Sequence, residues 1–275
     1  MKKTLICLAV AFMAMTSANA QTDKRIFNHL AIGLNVGTTG IGADVAVPCT
    51  KYLDIQAGFM IMPKIKISTS LNLDRFDYTD ANGVSQMLDK NNLKDIPIEG
   101  KLNLVNGKLM FNAYPFPKSS FHVTVGAYFG SSDIIEVYNT TPGQLSPINE
   151  ANAMIREANA KADQIPNYKI QKEIGLELDD YLLQPDPEGN ASASLKVNGF
   201  KPYVGLGVGR AVPGRTRLNF KFDIGAMFWG SPDIVDHNGH SLMSGIGSED
   251  GGAIRFIRKL KVYPVLNFRL SGRIF

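Results

Sequence analysis

Asp236, His237 and His240 crowd into the short stretch DHNGH. A carboxylate beside an imidazole is the pairing that general-base chemistry uses. An adjacent Asp-His pair is also half of an aspartate/histidine proteolytic dyad, but no partner acidic pair accompanies it. The same composition makes an ordinary polar turn. GxSxG, HExxH and CxxC are all absent from the chain, so serine-hydrolase, zinc-protease and dithiol chemistry lack their motifs. Asp77–Gly83, DYTDANG, has the acidic spacing of a calcium loop, yet Tyr78 stands where the first carboxylate ligand belongs. It reads as turn chemistry instead. Cys49, at the junction Val47-Pro48-Cys49-Thr50, reads as a small turn or buried residue rather than a reactive thiol. Asn139-Thr140-Thr141 and Asn190-Ala191-Ser192 match the glycosylation triplet by composition only. No cofactor or metal is called for, and no catalytic residue is assigned.

A second set of chemically capable residues carries more information because of where it falls. Asp44, Asp54, His122, Tyr203, Lys221, Asp223, Arg269 and Arg273 all lie on the polar side of segments whose other side is wholly apolar. Lys201–Gly230 shows the pattern best. Val204, Leu206 and Val208 alternate with Tyr203, Gly205, Gly207 and Gly209 before the Pro213-Gly214 turn. Leu218, Phe220, Phe222, Ile224, Ala226 and Phe228 then alternate with Asn219, Lys221, Asp223, Gly225, Met227 and Trp229. Alternation of this length marks a strand with two different faces. A soluble sandwich would turn the apolar face inward. A transmembrane barrel turns it toward lipid and keeps polar and small residues in the lumen. Many of the 26 glycines occupy alternate strand positions, where they would relieve crowding inside a narrow closed barrel.

The remaining segments extend the pattern. Leu30–Val36, Ile41–Val47 and the long run Leu53–Ile67 alternate in the same way, and the last is long enough to project beyond a bilayer that ~9–11 tilted residues suffice to cross. Ile98–Tyr114 changes phase, which a bulge at Asn106-Gly107 in one long strand would explain. Phe121–Phe129 and Val262–Phe275 complete about eight strands, with two more if 176–184 and 191–197 join the wall. Segments 74–96, 139–190 and 231–252 read as long loops. Within the second, Ser146-Pro147 starts a helix predicted over 147–164, which must lie in a loop or fill the barrel. Ala253–Leu260 reads as one or two amphipathic turns.

The chain's beginning favours the membrane. Lys2 and Lys3, the apolar run Leu5–Met15 and Ala18-Asn19-Ala20 form a secretory signal peptide, residues 1–20, which leaves 21–275 as one domain. That apolar run is too short to span as a helix. The formal net charge is +4, half of it from Lys2 and Lys3. A value so near neutral gives no footprint for nucleic acid.

Together with PYVGLGVGR (202–210) and the terminal PVLNFRLSGRIF (264–275), these features make the chain resemble the small Gram-negative outer membrane protein beta-barrel domain family. The resemblance implies an all-β fold, a closed antiparallel transmembrane β-barrel; the strand census sizes it at about 8–10 strands, and the residue pattern places a helical insertion (140–190) in one long loop. It implies location in the cell outer membrane, outer-membrane lipid as surroundings, and Phe275 as the signal read by the barrel-assembly machinery. The apolar set of the last strand, however, runs one residue out of step with Phe275.

Lumen width then limits function. A barrel of about eight strands has an interior that side chains fill, whereas open channels need roughly sixteen. Asp44, Asp54, His122, Lys221, Asp223, Arg269 and Arg273 are therefore expected to form a structural charge network in the lumen. The reading is a non-enzymatic barrel that meets its surroundings through long loops. The alternatives are a small gated channel or ligand-binding barrel and, third, an outer-membrane hydrolase or protease.

Overall fold

The computed structural model describes residues 29–116, 118–178, 181–214, 216–241 and 260–274. The expected leader (1–20), Phe275 and most of Ala253–Leu260 lie outside these. In chain order the strands are β1 (Ala31–Gly37), β2 (Gly40–Thr50), β3 (Leu53–Ile61), β4 (Lys66–Leu71), β5 (Asp77–Thr79) and β6 (Ser85–Met87). There follow β7 (Ile96–Leu102), β8 (Val105–Ala113), β9 (Phe121–Gly130), β10 (Asp133–Asn139), β11 (Leu176–Leu178) and β12 (Tyr181–Leu183). The last are β13 (Ser192–Lys196), β14 (Phe200–Val208), β15 (Leu218–Phe228), β16 (Asp233–Asp236) and β17 (Val262–Arg273).

Eight of these strands close on themselves in the order β1-β17-β15-β14-β9-β8-β3-β2. The seam joins the first and last described strands, with Ala31 opposite Arg273 and Gly37 opposite Asn267 in an antiparallel ladder. Every barrel strand thus has two partners, as a wall immersed in hydrocarbon requires. Side-chain parity is that of a membrane barrel. Leu34 is 64% exposed and Phe220 76% exposed, while their neighbours Asn35 and Lys221 are 4% and 3% exposed. Oil faces out and charge faces in, which excludes the soluble sandwich. The wall has eight strands rather than ten: β11 and β12 form a separate two-stranded sheet, and β13 belongs to a second sheet.

That second sheet is the same wall continued. Its order, β16-β13-β10-β7-β4, repeats the order β15-β14-β9-β8-β3 of the barrel strands to which each is joined in sequence. Five barrel strands therefore run on past the rim, interrupted along one line. Pro63, Gly199, Gly230 and Pro232 lie in the interruptions, residues that weaken or stop a ladder. Gly230 has a positive φ of 86°, a conformation that costs glycine least. The phase change in Ile98–Tyr114 falls at Asn103-Leu104, between β7 and β8, rather than at Asn106-Gly107. Its cause is the same interruption. The remaining three strands stop at the rim, where the Thr38-Thr39 turn joins β1 to β2.

One face of this upper sheet is covered by the insertion. The helix runs Ser146–Ala160, with a short 3-10 turn at Ala162–Gln164, and sits above the barrel rather than in it. Ile148, Ala151 and Ile155 pack with Leu93, Ile96, Ile174, Leu176, Ala193 and Ile234. Pro147 occupies the first turn, where its missing N–H costs nothing. Ser146 does not cap the helix: its hydroxyl donates to the Gly143 carbonyl at 2.9 Å. Asn152, buried on the packed face, donates to the Ile174 carbonyl at 2.8 Å and accepts from the Ile174 N–H at 2.7 Å, so an irregular segment inside the core keeps its backbone bonds satisfied. The loop expected over 74–96 contains the β5–β6 hairpin and a helical turn at Lys90–Leu93.

The outward apolar face yields a direct test. Leu206, at mid-height on β14, is 49% exposed. On a soluble surface Leu206→Arg would be almost neutral. On a lipid-facing wall it should destabilise by ~2–4 kcal/mol, read as a lowered urea midpoint for folding into lipid vesicles.

Candidate functional site

The lumen's polar residues gather around two carboxylates. Asp44, on β2, receives Arg269 Nε at 2.7 Å on Oδ1, and Arg269 Nη2 also lies 2.6 Å from that oxygen. Its Oδ2 takes Lys108 Nζ at 2.9 Å, Asn35 Nδ2 at 2.7 Å and Gln56 Nε2 at 2.5 Å. These donors come from β17, β8, β1 and β3, so one carboxylate ties together strands from much of the circumference. Lys108 Nζ also donates to Asn35 Oδ1 at 2.9 Å.

Asp223, on β15, is the second centre. Lys221 Nζ lies 2.7 Å from both its oxygens, and His122 Nε2 is 2.7 Å from Oδ1. The other imidazole nitrogen faces the Ser120 carbonyl at 3.2 Å. Gln56, Asn112 and Thr124 bridge the two centres: Asn112 Nδ2 donates to Gln56 Oε1 at 3.4 Å, and Thr124 Oγ1 lies 2.9 Å from Asn112 Oδ1 and 3.3 Å from Asp223 Oδ1. Two glycines make the room. A Cβ on Gly33 would sit 2.3 Å from Arg269 Nε, and one on Gly207 would sit 2.6 Å from His122 Nε2.

The network is closed above and below. At the end where β1 begins and β17 finishes, the β14–β15 connection folds into the mouth. Ala211 and Val212 are buried there against Ala31 and Ala46. The Ala211 N–H donates to Tyr114 Oη at 2.8 Å, and Arg269 Nη1 donates to the Ala211 carbonyl at 2.6 Å. Asp54 Oδ2 lies 3.4 Å from the Val212 N–H. Toward the other end an apolar layer crosses the lumen: Met60, Met110, Tyr128, Tyr203, Met227 and Val265 pack together. Lys201 sits near that rim, donating to Asn106 Oδ1 at 3.0 Å and the Ser131 carbonyl at 2.9 Å.

Of the residues expected inside, Asp44, Asp54, His122, Tyr203, Lys221, Asp223 and Arg269 are all buried in the lumen. Arg273 is not part of the network. It is half-buried, and its Nη1 donates to the Gly214 carbonyl at 2.8 Å, because β17 has reached the rim by that residue. Sequence reasoning missed Lys108 and Lys201. Lys108 precedes Leu109 in strict alternation, and that parity was a usable signal. Lys201 lies beside Pro202, where a strand start hides it.

The rim candidates do not assemble a catalytic group. Asp236 Oδ1 accepts the Asn238 and His240 N–H groups at 2.9 and 2.8 Å, so its carboxylate holds the turn. His240 is exposed, with Nδ1 3.6 Å from Asp236 Oδ2. His237 Nδ1 is buried without a hydrogen-bond partner. Asp80 does the same work in the β5–β6 hairpin, taking the Asn82 and Val84 N–H groups and Gln86 Nε2 at 2.9 to 3.0 Å. The bond from Gln86 draws its carboxyl below the ordinary aspartate range. Asn139 and Asn190 spend their amides on Thr141 and Asp186. Among the described residues no group of His, Cys, Asp and Glu could hold a metal ion.

Above the barrel, on the upper sheet's other face, Glu99 receives Lys66 Nζ at 2.7 Å and the Tyr138 hydroxyl at 2.6 Å. The bond from Lys66 holds the Glu99 carboxyl below its usual range. The bond to Glu99 in turn raises the Lys66 ammonium and the Tyr138 phenol. Because the carboxyl is depressed in the fold, its contribution is present above the ordinary glutamate range and fades as pH falls through the folded value.

Two outcomes follow. Asp44→Ala leaves Arg269 and Lys108 buried without their carboxylate and should cost ~3–5 kcal/mol in vesicle refolding, against under about 0.5 kcal/mol for Lys161→Ala in its exposed helical pair with Glu157. Glu99→Gln should move the Tyr138 titration, followed by ¹³Cζ NMR, down toward an ordinary phenol; an unmoved midpoint would separate the two groups.

No protein-family model matches the chain, and no curated protein matches it. Among solved structures it is similar to CarO2 of Acinetobacter baumannii at 15% identity and a TM-score of 0.44, covering 91% of this chain and 100% of that one. CarO of the same organism gives 16% identity and a TM-score of 0.41, covering 91% and 99%. A major outer membrane protein from Thermus thermophilus gives 14% identity and a TM-score of 0.34, covering 90% and 98%. Likenesses this distant leave the residues above to be read on their own geometry.

Proposed function

We propose that this chain is an integral outer-membrane β-barrel, non-enzymatic, that holds a folded platform above the membrane for surface interaction. The observation that carries this reading is the filled lumen. A buried loop, a charge network with paired carboxylates and an apolar layer follow one another along the axis. Solute passage would have to displace all three. The apolar outer face supports insertion in lipid. Both described ends lie opposite the long connections 62–104, 131–199 and 229–261, and that is the periplasmic side of such barrels. The upper sheet and helix then face the exterior. Assembly would run through the barrel-assembly machinery, with β17 and Phe275 as the segment it reads.

A gated channel is the competing reading, since the β14–β15 connection closes one mouth with a single loop. Planar-bilayer recording separates them. The folded protein, identified by migration on a gel that changes on boiling, should give no sustained conductance steps. Regular steps from heat-modifiable protein would replace the platform reading with the channel. A chain that stays dissolved without detergent would remove both.

A further inference from the structure

The outward face of the upper sheet divides into two parts. Over β4, β7 and β10, Lys66, Glu99 and Tyr138 satisfy one another. Over β10, β13 and β16 lies a cavity of about 640 Å³, walled on one side by the Asp236–Gly239 turn. Glu136, Ser194 and Val235 stand in one cross-strand row of it, and Ser192 lies two residues along the same face. Its lining includes Asn103, Glu136, Ser192 and Ser194. Unlike the Glu99 group, these four side chains have no hydrogen bond or ion pair to another described residue. Lys196 is held loosely, 3.6 Å from Asp133. Uncommitted acceptors and hydroxyls facing one concavity are what a hydrogen-bonding ligand would engage.

The cavity's height narrows the choice. Asp133 and Lys196 line its floor, each four residues along the wall from an exposed phenylalanine, Phe129 and Phe200 respectively. At ~3.3 Å per residue and a strand tilt near 45°, that is roughly 9–13 Å above the lipid-facing band. The polar headgroup layer is only ~5–8 Å thick on each side, so this floor stands just beyond it, where the sugars of an outer-leaflet glycolipid would extend. Charge narrows it further. Asp133, Glu136 and Asp236 outnumber Lys196, so an anionic phosphate meets repulsion. Sugar hydroxyls, which donate to carboxylates and exchange bonds with serine and asparagine, meet partners.

We propose that this cavity binds a saccharide of one or two rings, carried either on an outer-leaflet glycolipid or free in solution. The assignment rests on the membrane placement argued above.

The test uses the whole folded chain in detergent micelles and native mass spectrometry. Dihexosyl diacylglycerol should bind at one per chain, in preference to phosphatidylglycerol and to diacylglycerol without sugar. Glu136→Ala with Ser194→Ala, both on the solvent face, should weaken that binding about tenfold through lost hydrogen bonds and leave heat-modifiable migration unchanged. Competition by methyl lactoside at equal concentration would assign the site to free glycans; failure to compete would assign it to headgroups. Equal binding of phosphatidylglycerol, no glycolipid adduct, or an adduct indifferent to the double variant overturns the site while a heat-modifiable barrel stands. Loss of heat-modifiable migration in the unaltered chain overturns the placement itself.

Discussion

Hydrocarbon offers a peptide group nothing to bond with, and that constraint organises the molecule. It forces β1 onto β17, uniting residues as far apart in sequence as Ala31 and Arg273. With only eight strands in the ring, closure leaves an interior just wide enough for side chains. Charges placed there meet one another rather than water. Asp44 and Asp223 become hubs because a carboxylate buried in so dry a space must be matched by cations and donors. Gly33 and Gly207 follow from the same crowding, since Arg269 and His122 occupy the volume where a Cβ would stand.

Much of this was legible in the residues. Period-two alternation identifies the wall strands because each meets two different media, and parity alone sends Asp44, Lys221 and Arg269 inward. What alternation cannot supply is partnership. That Gln56, Asn112 and Thr124 link the two carboxylates depends on the registers of β3, β8 and β9, which no local pattern encodes. Arg273 shows the opposite failure. Its parity is right, but at the rim the lumen ends, and the nearest acceptors are turn carbonyls. The upper sheet was hard to see for another reason. Its strands stand in water on one face and against the insertion on the other, so β10 and β16 look polar and loop-like.

The wall's unequal height gives the insertion its place. Five strands continue upward and three do not, so the extended part is an open, curved sheet. Its inner face continues the lumen's inner face, and Ile96, Ala193 and Ile234 turn toward the axis. An exposed apolar patch of this kind needs a cover, and the helix Ser146–Ala160 supplies it with Ile148 and Ile155. The lumen could not have accepted that helix, because Met60, Tyr203 and Met227 already fill its upper part. The helix therefore stands on the barrel, and the opposite face of the sheet is left to solvent.

A lumen packed with hydrocarbon would close the barrel equally well, and the presence of charge therefore needs its own reason. Buried ion pairs often add little net stability compared with apolar packing. Their effect here is on choice of face. In a soluble sheet water marks the outside, but in a bilayer an apolar strand has no preference between lipid and an apolar interior. Charge on one parity restores the distinction. Slipping β17 by one residue against β1 would turn Arg269 toward lipid and bring Phe268 and Leu270 inward. It would also strip Asp44 of its guanidinium while leaving that carboxylate buried. The cost of the wrong register is thus far larger than the gain in the right one. The network acts as a lock on strand alignment, which explains why its members are drawn from β1, β2, β3, β8 and β17 rather than from a single hairpin.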